Sequence, residues 1–312
     1  MLQLLGKTDI DFIGKRKFSF VISAIIALIG IIGVISIARG TANMGIDFTG
    51  GTSLQLQFDK PVALADARKA LHTAGIDAEL QEIKDGNKLL VKMPRKSQIS
   101  VGKAAQTVPE AIIKGVPGIM VTVDSTTEIG PAIGDKLRKD TLIAVAISLF
   151  GIVCYIAWRF DFKFGIGAVV ATLHDILAMF AVFYLLNKEI NLLFVTAVLT
   201  IAGYSLTDTV VIFDRIRENL HKDLKGSLHK IYNTSINETL ARTIVTSLTT
   251  FMAAAALYFF GGEVIHDFSL ALLVGVGVAT YSSVFVASPV VVVLEERALK
   301  KASAAPVQPV KA

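Results

Sequence analysis

The chain alternates long apolar runs with polar stretches, and the apolar residues occur in blocks rather than in a periodic pattern. About 20 consecutive apolar residues span the roughly 30 Å hydrocarbon core of a bilayer as a helix. Six runs reach that length, so we predict a polytopic α-helical membrane protein. The predicted transmembrane helices cover residues 18–38, 141–158, 164–186, 191–213, 242–260 and 268–294.

The polar stretches between these runs define the rest of the predicted organisation. The largest, 39–138, separates the first helix from the other five and is long enough for an independent domain. We predict a cytoplasmic N-terminus at 1–17 and a cytoplasmic loop at 214–241 within the five-helix region 139–294. The segment 295–312 is rich in Ala, Pro and Lys, so we expect a disordered cytoplasmic tail.

Alternation and turn signals predict an α+β fold for residues 39–138. Residues 52–58 alternate between polar and apolar side chains, as a half-buried strand does. Pro61 can start a helix that Gly75 ends, and a second helical stretch precedes the last strand. The order βαββαβ is typical of a ferredoxin-like sandwich. Without a nucleophile–base pair or a phosphate loop, this domain is expected to bind or move rather than catalyse.

Glycine-rich junctions flank the predicted domain. Glycine permits positive φ and close approach of another backbone. These junctions are either simple turns at a domain boundary or a pair of hinges that lets the domain reorient over the membrane. The junction residues are Gly45, Asp47, Gly50 and Gly51 before the first strand, and Gly130, Pro131 and Gly134 before the second transmembrane helix.

Composition and the placement of charge agree with a membrane location. The chain is 53% hydrophobic and 18% charged, whereas soluble domains carry about 25% charged residues. The net charge is +5, and the Lys and Arg residues flank the predicted helices mainly on one side. This asymmetry predicts that both termini are cytoplasmic and that residues 39–138 are exported. It argues against a nucleic-acid partner, and no Cys/His spacing around the single cysteine, Cys154, indicates a metal site.

Two charged residues interrupt the apolar runs. Asp208 lies in the fourth predicted helix, and Arg242 opens the fifth. An uncompensated charge in hydrocarbon costs about 2.5–3.5 kcal/mol or more. Antiparallel neighbours would place the two residues at similar depth, where they can pair directly or through water. Two interpretations stay open: a static pair that holds the helices together, and a relay in which Asp208 binds and releases a proton.

Further polar residues follow the same helices, and we predict that they support a relay. Ser205 precedes Asp208 by about one turn and can donate a hydrogen bond to it. Thr246 shares a helix face with Arg242. His174 and Asp175 in the third predicted helix are further candidates, and His174 is either a packing residue or part of the relay. Separately, Asp214, Arg215 and Arg217 form a cytoplasmic motif at the end of the fourth helix.

In order and spacing these motifs resemble the SecF family, and the resemblance covers nearly the whole chain. One departure is Thr207, where an Asn often precedes the Asp of the fourth helix. The segments that carry the resemblance are GIDFTGG at 45–51, GPAIG at 130–134, TLHD at 172–175, the run 203–219, ETLART at 238–243 and the glycine pair 261–262.

The resemblance implies a function that spacing alone does not show. SecF is the smaller membrane subunit of the bacterial SecDF complex, in the resistance–nodulation–division superfamily. SecDF uses the proton-motive force to assist late export of unfolded preproteins through SecYEG. The resemblance therefore implies proton-linked roles for Asp208 and Arg242, with the proton as coupling ion and no other cofactor. It also implies the bacterial inner membrane as location and SecD as an obligate partner, with YajC and YidC as neighbours.

Two other classes of function stay open at this point. A non-conducting structural or assembly factor of the translocon would use the same membrane helices without needing a titrating Asp208. A lipid or small-molecule exporter would need an apolar cleft, which the compact βαββαβ pattern does not predict. In neither case is the chain a hydrolytic enzyme.

Overall fold

The computed structural model describes residues 8–83, 87–94, 102–223 and 226–303. The chain divides into two compact units, each described by itself. The α+β unit comprises Asn43–Val145 and Glu189–Leu192, and the membrane unit comprises Met1–Ala42, Ala146–Lys188 and Leu193–Ala312. The elements in chain order are α1 (Arg16–Ala38), α2 (Ile46–Thr49), β1 (Gly51–Phe58), α3 (Leu64–Thr73), β2 (Glu79–Ile83), β3 (Lys88–Pro94), α4 (Ala104–Gly115), β4 (Val121–Ile129), α5 (Pro131–Arg159), α6 (Phe162–Leu185), α7 (Leu192–Lys222), α8 (Leu228–Phe260), α9 (Glu263–Ser282), a π turn (Ser283–Ala287) and α10 (Ser288–Ser303).

The α+β unit has the predicted βαββαβ order. Within the described residues its four strands form one antiparallel sheet in the order β2-β3-β1-β4, which confirms the ferredoxin-like fold. Alternate residues of the central strand β1 point into the core, where Leu54, Leu56 and Phe58 are buried. They pack with Leu71 of α3 and Ile112 of α4. The period-2 pattern of the sequence therefore marks the buried face of the sheet correctly.

Six helices of the described residues are long and apolar enough to cross a membrane, as predicted. They differ in how much the chain itself covers them. About half of the most apolar stretch is buried in α6 (56%), in α7 (50%) and in the helix that runs from α9 into α10 (50%). The corresponding share is 17% in α1 and α8 and 6% in α5. The outer faces of α5 and α8 are therefore available to lipid or to another subunit.

The helices extend further than the apolar runs predict. α5 begins at Pro131 instead of 141, and the predicted loop 214–241 is largely helical because α7 runs to Lys222 and α8 starts at Leu228. α10 continues to Ser303, so residues 295–303 of the predicted disordered tail are helical, while 304–312 lie outside the described residues. The reason is that apolar length measures only the part inside hydrocarbon, whereas polar helix formers such as Glu, Lys and Arg continue the same helices into water.

Close contact between α1 and α6 depends on glycine. A Cβ atom at Gly30 would collide with the backbone carbonyl of Leu177, and one at Gly33 would press on Phe180 and Tyr184. Small residues let the backbones of membrane helices approach each other in this way.

The segment before α1 is anchored on the N-terminal part of α8. The Asn233 side-chain oxygen accepts hydrogen bonds from the backbone N–H groups of Phe12 (2.9 Å) and Ile13 (3.0 Å). The Asn237 amide both donates to and accepts from the backbone of Ile10. Phe12 and Ile13 are buried in the helical core. The predicted cytoplasmic N-terminus is thus packed structure from at least Ile10 onward.

Candidate functional site within the membrane helices

Asp208 lies on the buried face of α7 and is 5% exposed. The hydroxyl of Ser247 on α8 donates a long hydrogen bond of 3.4 Å to Asp208 Oδ2. Ser247 in turn accepts hydrogen bonds from Thr280 on α9 (2.7 Å) and from Tyr204 on α7 (3.4 Å). The carboxyl group therefore ends a chain of hydroxyl groups that connects three helices.

Arg242 is on α8 but is exposed in the chain. Among the described residues, no ion pair within 4.0 Å joins it to Asp208. Thr246 shares the exposed face of Arg242, as predicted from its spacing, and its hydroxyl donates to the Arg242 carbonyl (3.0 Å). Arg242 and Thr246 of the predicted polar stripe thus lie on an exposed face of α8.

The residue of α8 that does reach Asp208 was missed from the sequence. Ser247 belongs to a second polar stripe with Thr239 and Thr243, and all three are buried. Their i, i+4, i+8 spacing is the signal that could have identified this inward face.

A second buried carboxylate lies on α6. Asp175 is 0% exposed, and its Oδ2 accepts hydrogen bonds from Ser205 on α7 (2.5 Å) and Ser282 on α9 (2.8 Å). Its Oδ1 lies 3.1 Å from Nδ1 of His174. The sequence allows Ser205 to bond to Asp208 or to hold a water beside it; in the structure Ser205 bonds to Asp175 on α6, whereas Asp208 meets Ser247 on α8. The predicted support residues His174, Asp175 and Ser205 do lie together, around Asp175.

A π turn, Ser283–Ala287, interrupts the last helix directly after Ser282. The hydroxyl of Ser283 lies 3.0 Å from that of Thr209, the residue after Asp208. Single π turns inside helices often occur at functional sites because they re-aim side chains locally. Here Ser282, just before the turn, contacts Asp175 on α6, and Ser283, its first residue, contacts Thr209 on α7.

The predicted cytoplasmic motif forms ion pairs at the end of α7. Asp214 accepts two hydrogen bonds from Arg159 of α5 (2.7 and 2.8 Å). Arg215 contacts Glu238 of α8 (2.7 Å), and Arg217 lies 3.8 Å from Asp161. Exposed pairs of this kind contribute about 0–1 kcal/mol each, so the motif mainly fixes which helix ends stay together.

The predicted junction residues are tightly held within the α+β unit. Asp47 Oδ2 accepts a hydrogen bond from the Leu192 N–H (3.0 Å), and Gly45 N–H donates to Ile190 (2.9 Å). A Cβ atom at Gly134 would lie 3.0 Å from the Gly50 nitrogen, so the two junctions meet each other. Gly51 has φ of 142° and lies against the Met93 carbonyl, where a side chain would not fit. The partner segment Glu189–Leu192 was not singled out from the sequence.

Gly130 and Pro131 lie at the start of α5, where Pro131 is the first helical residue. That position suits proline because its missing N–H would have no partner within the helix. Across the described residues, no group of three or more His, Cys, Asp or Glu side chains could hold a metal ion.

The buried carboxylates, the membrane-length helices and the small α+β domain after the first helix describe a polytopic membrane protein with ionisable groups among its helices. Residues 110–297 match the family described as protein export membrane protein SecD/SecF, C-terminal, and residues 36–62 match the SecD/SecF GG motif. The chain is 52% identical over 304 residues to protein translocase subunit SecF of Thermodesulfovibrio yellowstonii, covering 96% of this chain and 100% of that protein. It is 37% identical to protein translocase subunit SecF of Pseudomonas aeruginosa, covering 91% and 90% of the two chains.

The fold is similar to the crystal structure of SecDF, a translocon-associated membrane protein from Thermus thermophilus. The TM-score is 0.80 at 34% identity, and the similarity covers 93% of this chain and 39% of that one. This chain therefore spans about two fifths of the length of the solved SecDF chain. The chain belongs to the SecD/SecF family and, within it, to the SecF subunits of the protein translocase.

Proposed function

We propose that this chain couples proton movement to preprotein export, together with a SecD subunit that supplies the other half of the membrane region. The observation that carries the proposal is the environment of Asp208. Its carboxyl group is buried among apolar helices, with the Ser247 hydroxyl at 3.4 Å and, within the described residues, no cation in ion-pair range. An ionised carboxylate in such a place is costly, so this arrangement favours the protonated form.

Arg242 supplies the second state of the proposed cycle. It lies on α8, the helix that also carries Ser247, and its side chain is exposed in the isolated chain. A rearrangement that brings the guanidinium to Asp208 would stabilise the charged carboxylate and release its proton. A proton that crosses 100 mV supplies roughly 2.3 kcal/mol, which is enough to bias two such states. His174, Asp175, Ser205 and Thr246 are the proposed supporting residues.

A SecD partner accounts for the uncovered surfaces. The polar stripe of α8 and most of α5 are exposed in the isolated chain, and polar side chains of a membrane helix face protein or water rather than lipid. The solved SecDF chain is much longer than this chain, which leaves room for a second half of the kind SecD would supply. SecYEG, YajC and YidC are proposed as further neighbours in the bacterial inner membrane. The Lys and Arg placement supports cytoplasmic termini and an exported α+β unit, which would act on the unfolded preprotein.

The test is Asp208→Asn in the complex with SecD, reconstituted in vesicles with SecYEG. We expect the complex to assemble normally and to lose the proton flux that the unchanged chain shows. Export should no longer respond to the proton-motive force. Asp223→Asn is the matched control, because it changes an exposed carboxylate beyond the end of α7. If Asp208→Asn exports preproteins as the unchanged chain does, the family assignment stands, and the chain acts as a non-conducting assembly factor.

A further inference from the structure

Asp175 and His174, adjacent residues of α6, form a buried pair separate from Asp208. The Asp175 carboxylate is 0% exposed and His174 is 5% exposed. Their facing atoms, Asp175 Oδ1 and His174 Nδ1, are 3.1 Å apart. We infer that these two side chains together hold one exchangeable proton, in a site distinct from Asp208. This inference rests on the proposed function, because an exchangeable proton matters only if protons cross the bundle.

Charge balance supports a single shared proton. With no proton on Oδ1 and a neutral imidazole, the pair would carry an uncompensated negative charge in a dry interior. With a carboxylic acid beside an imidazolium, the pair would carry an uncompensated positive charge. One proton shared between Oδ1 and Nδ1 leaves the pair neutral, either as carboxylic acid and imidazole or as carboxylate and imidazolium. Movement between these two forms transfers the proton without changing the net charge of the site.

The hydroxyl groups around Oδ2 make the charged form of the pair accessible. Ser205 donates from α7 and Ser282 donates from α9. Two hydrogen bonds to one carboxylate oxygen stabilise negative charge on it. Asp175 can therefore pass its proton to His174 and remain in the core as a hydrogen-bonded carboxylate.

The outer nitrogen of the imidazole provides the route for exchange. His174 Nε2 is buried and has no hydrogen-bond partner among the described residues. Buried polar atoms without a partner are uncommon in folded proteins. When Nδ1 takes the proton from Asp175, the imidazolium can lose the proton on Nε2 to a water or hydroxyl that reaches it, and the pair then carries a net charge of −1 until a proton returns. This step breaks the Nε2–H bond and forms a bond between that proton and the oxygen of the water or hydroxyl.

In the part of the chain that the structure describes, no ion pair within 4.0 Å joins His174 or Asp175 to a third residue. Tyr281 of α9 lies beside the His174 ring, with ring centroids 6.0 Å apart, and its hydroxyl bonds to Ser19 and Ser23 of α1. On α7, Asp208 follows Ser205 by three residues and carries the next carboxylate. Apart from the pair itself, Arg16 and Lys17 begin α1, Lys163 lies at the start of α6, and Glu295 and Glu296 lie midway along α10, where Glu296 pairs with Arg16.

Two helices connect this pair to Asp208. On α7, Ser205 bonds to Asp175, and Asp208 follows three residues later. On α9, Ser282 bonds to Asp175, while Thr280 donates to Ser247, the partner of Asp208. A shift of either helix therefore changes the hydrogen bonds of both carboxylates at once. This is a physical basis for coupled proton binding at two sites.

The experiment is infrared pH-difference spectroscopy of the complex with SecD in vesicles, together with ¹⁵N NMR of labelled histidines. We expect a C=O band of a protonated buried carboxyl that disappears in Asp175→Asn and persists in Asp208→Asn. The ¹⁵N signals of His174, assigned by their loss in His174→Gln, should exchange between neutral and charged forms. A spectrum in which Asp175→Asn removes no band, with His174 in one form throughout, would overturn the inference.

Two further measurements separate the possible failures. If Asp175→Asn does not assemble with SecD, the spectrum is recorded for Ser282→Ala instead. Loss of the hydrogen bond from Ser282 should shift the C=O band of Asp175, and an unshifted band counts against the site. Proton flux is measured in parallel for Asp208→Asn. Proton flux that survives in Asp208→Asn contradicts the proposed function, even if the Asp175 band is present. Loss of flux in Asp208→Asn without an Asp175 band contradicts only the shared proton of Asp175 and His174.

Discussion

The hydroxyl of Ser205 donates to the carboxylate of Asp175 across 2.5 Å, from α7 to α6. Asp208, three residues further along α7, bonds instead to Ser247 on α8. One helix thus contacts two buried carboxylate centres: positions 205 and 208 are only about 60° apart around the helix axis, yet Ser205 meets α6 and Asp208 meets α8. The two centres can be altered separately, which makes the roles of individual residues testable.

Removal of the Ser247 hydroxyl should weaken proton coupling without abolishing it. Ser247→Ala takes away a hydrogen bond to Asp208 and breaks the chain from Thr280, at a cost of about 1–2 kcal/mol. We expect proton-dependent export to fall about tenfold, less than in Asp208→Asn, when measured in vesicles with SecD. Thr200→Ala is the control, since its exposed hydroxyl bonds to its own helix at Thr196. Equal rates for both variants would show that Ser247 does not position Asp208.

A methyl group at Gly30 should separate α1 from α6. Gly30→Ala places a Cβ against the Leu177 carbonyl, and overpacking of this kind costs about 1–3 kcal/mol. We expect a lower midpoint of thermal unfolding for the purified protein. Gly151→Ala on α5 is the control because nothing lies within 4 Å of its Cβ position, and it should leave the midpoint unchanged. A Gly30 variant as stable as this control would mean that the two helices pack less closely than described.

Loss of the Asn233 side chain should free the segment before α1. Asn233→Ala leaves the N–H groups of Phe12 and Ile13 without their acceptor, at a cost of about 1–3 kcal/mol. We expect faster hydrogen exchange at residues 10–13, detected by mass spectrometry. Lys230→Ala, an exposed change one turn earlier on α8, should leave that exchange as it is. Unaltered exchange in Asn233→Ala would contradict the described anchoring.

Acid should weaken the same segment through Asp11. Hydrogen bonds from the Gly14 N–H and the Asn233 amide lower the pKa of the Asp11 carboxyl below its ordinary value. A lowered pKa in the folded protein means that this contribution is fully present above the unfolded value of about 3.9 and is lost as the pH falls through the folded value. Protection of the Gly14 amide, corrected for intrinsic exchange, should therefore decline below about pH 4. In Asp11→Asn that decline should be absent; a decline of the same size there would assign it to another group.

The sequence predicted the α+β unit well because strands repeat every two residues. The alternation in residues 52–58 reports directly which side chains of β1 are buried, since a strand has only two faces. The edges of the elements were less accurate. Residues 214–241 read as a loop, yet they are mostly helix, because leaving the hydrocarbon ends the apolar pattern without ending the helix.

The candidate site was predicted in part. Asp208, Asp175 and Arg242 are conspicuous because charge inside an apolar run is costly. Their partners were harder to assign. Ser205 pairs with Asp175 and not with Asp208, and Ser247 was overlooked beside the more visible stripe of Arg242 and Thr246.

By itself the sequence determined that the chain crosses a membrane six times, carries one small α+β domain and keeps carboxyl groups in hydrocarbon. Those properties follow from the length of apolar runs and from local periodicity, both of which are written along a single segment. Only the tertiary structure decided which hydroxyl meets which carboxylate. That choice depends on the rotation of each helix against its neighbours, and a difference of one residue, about 100°, changes the face presented.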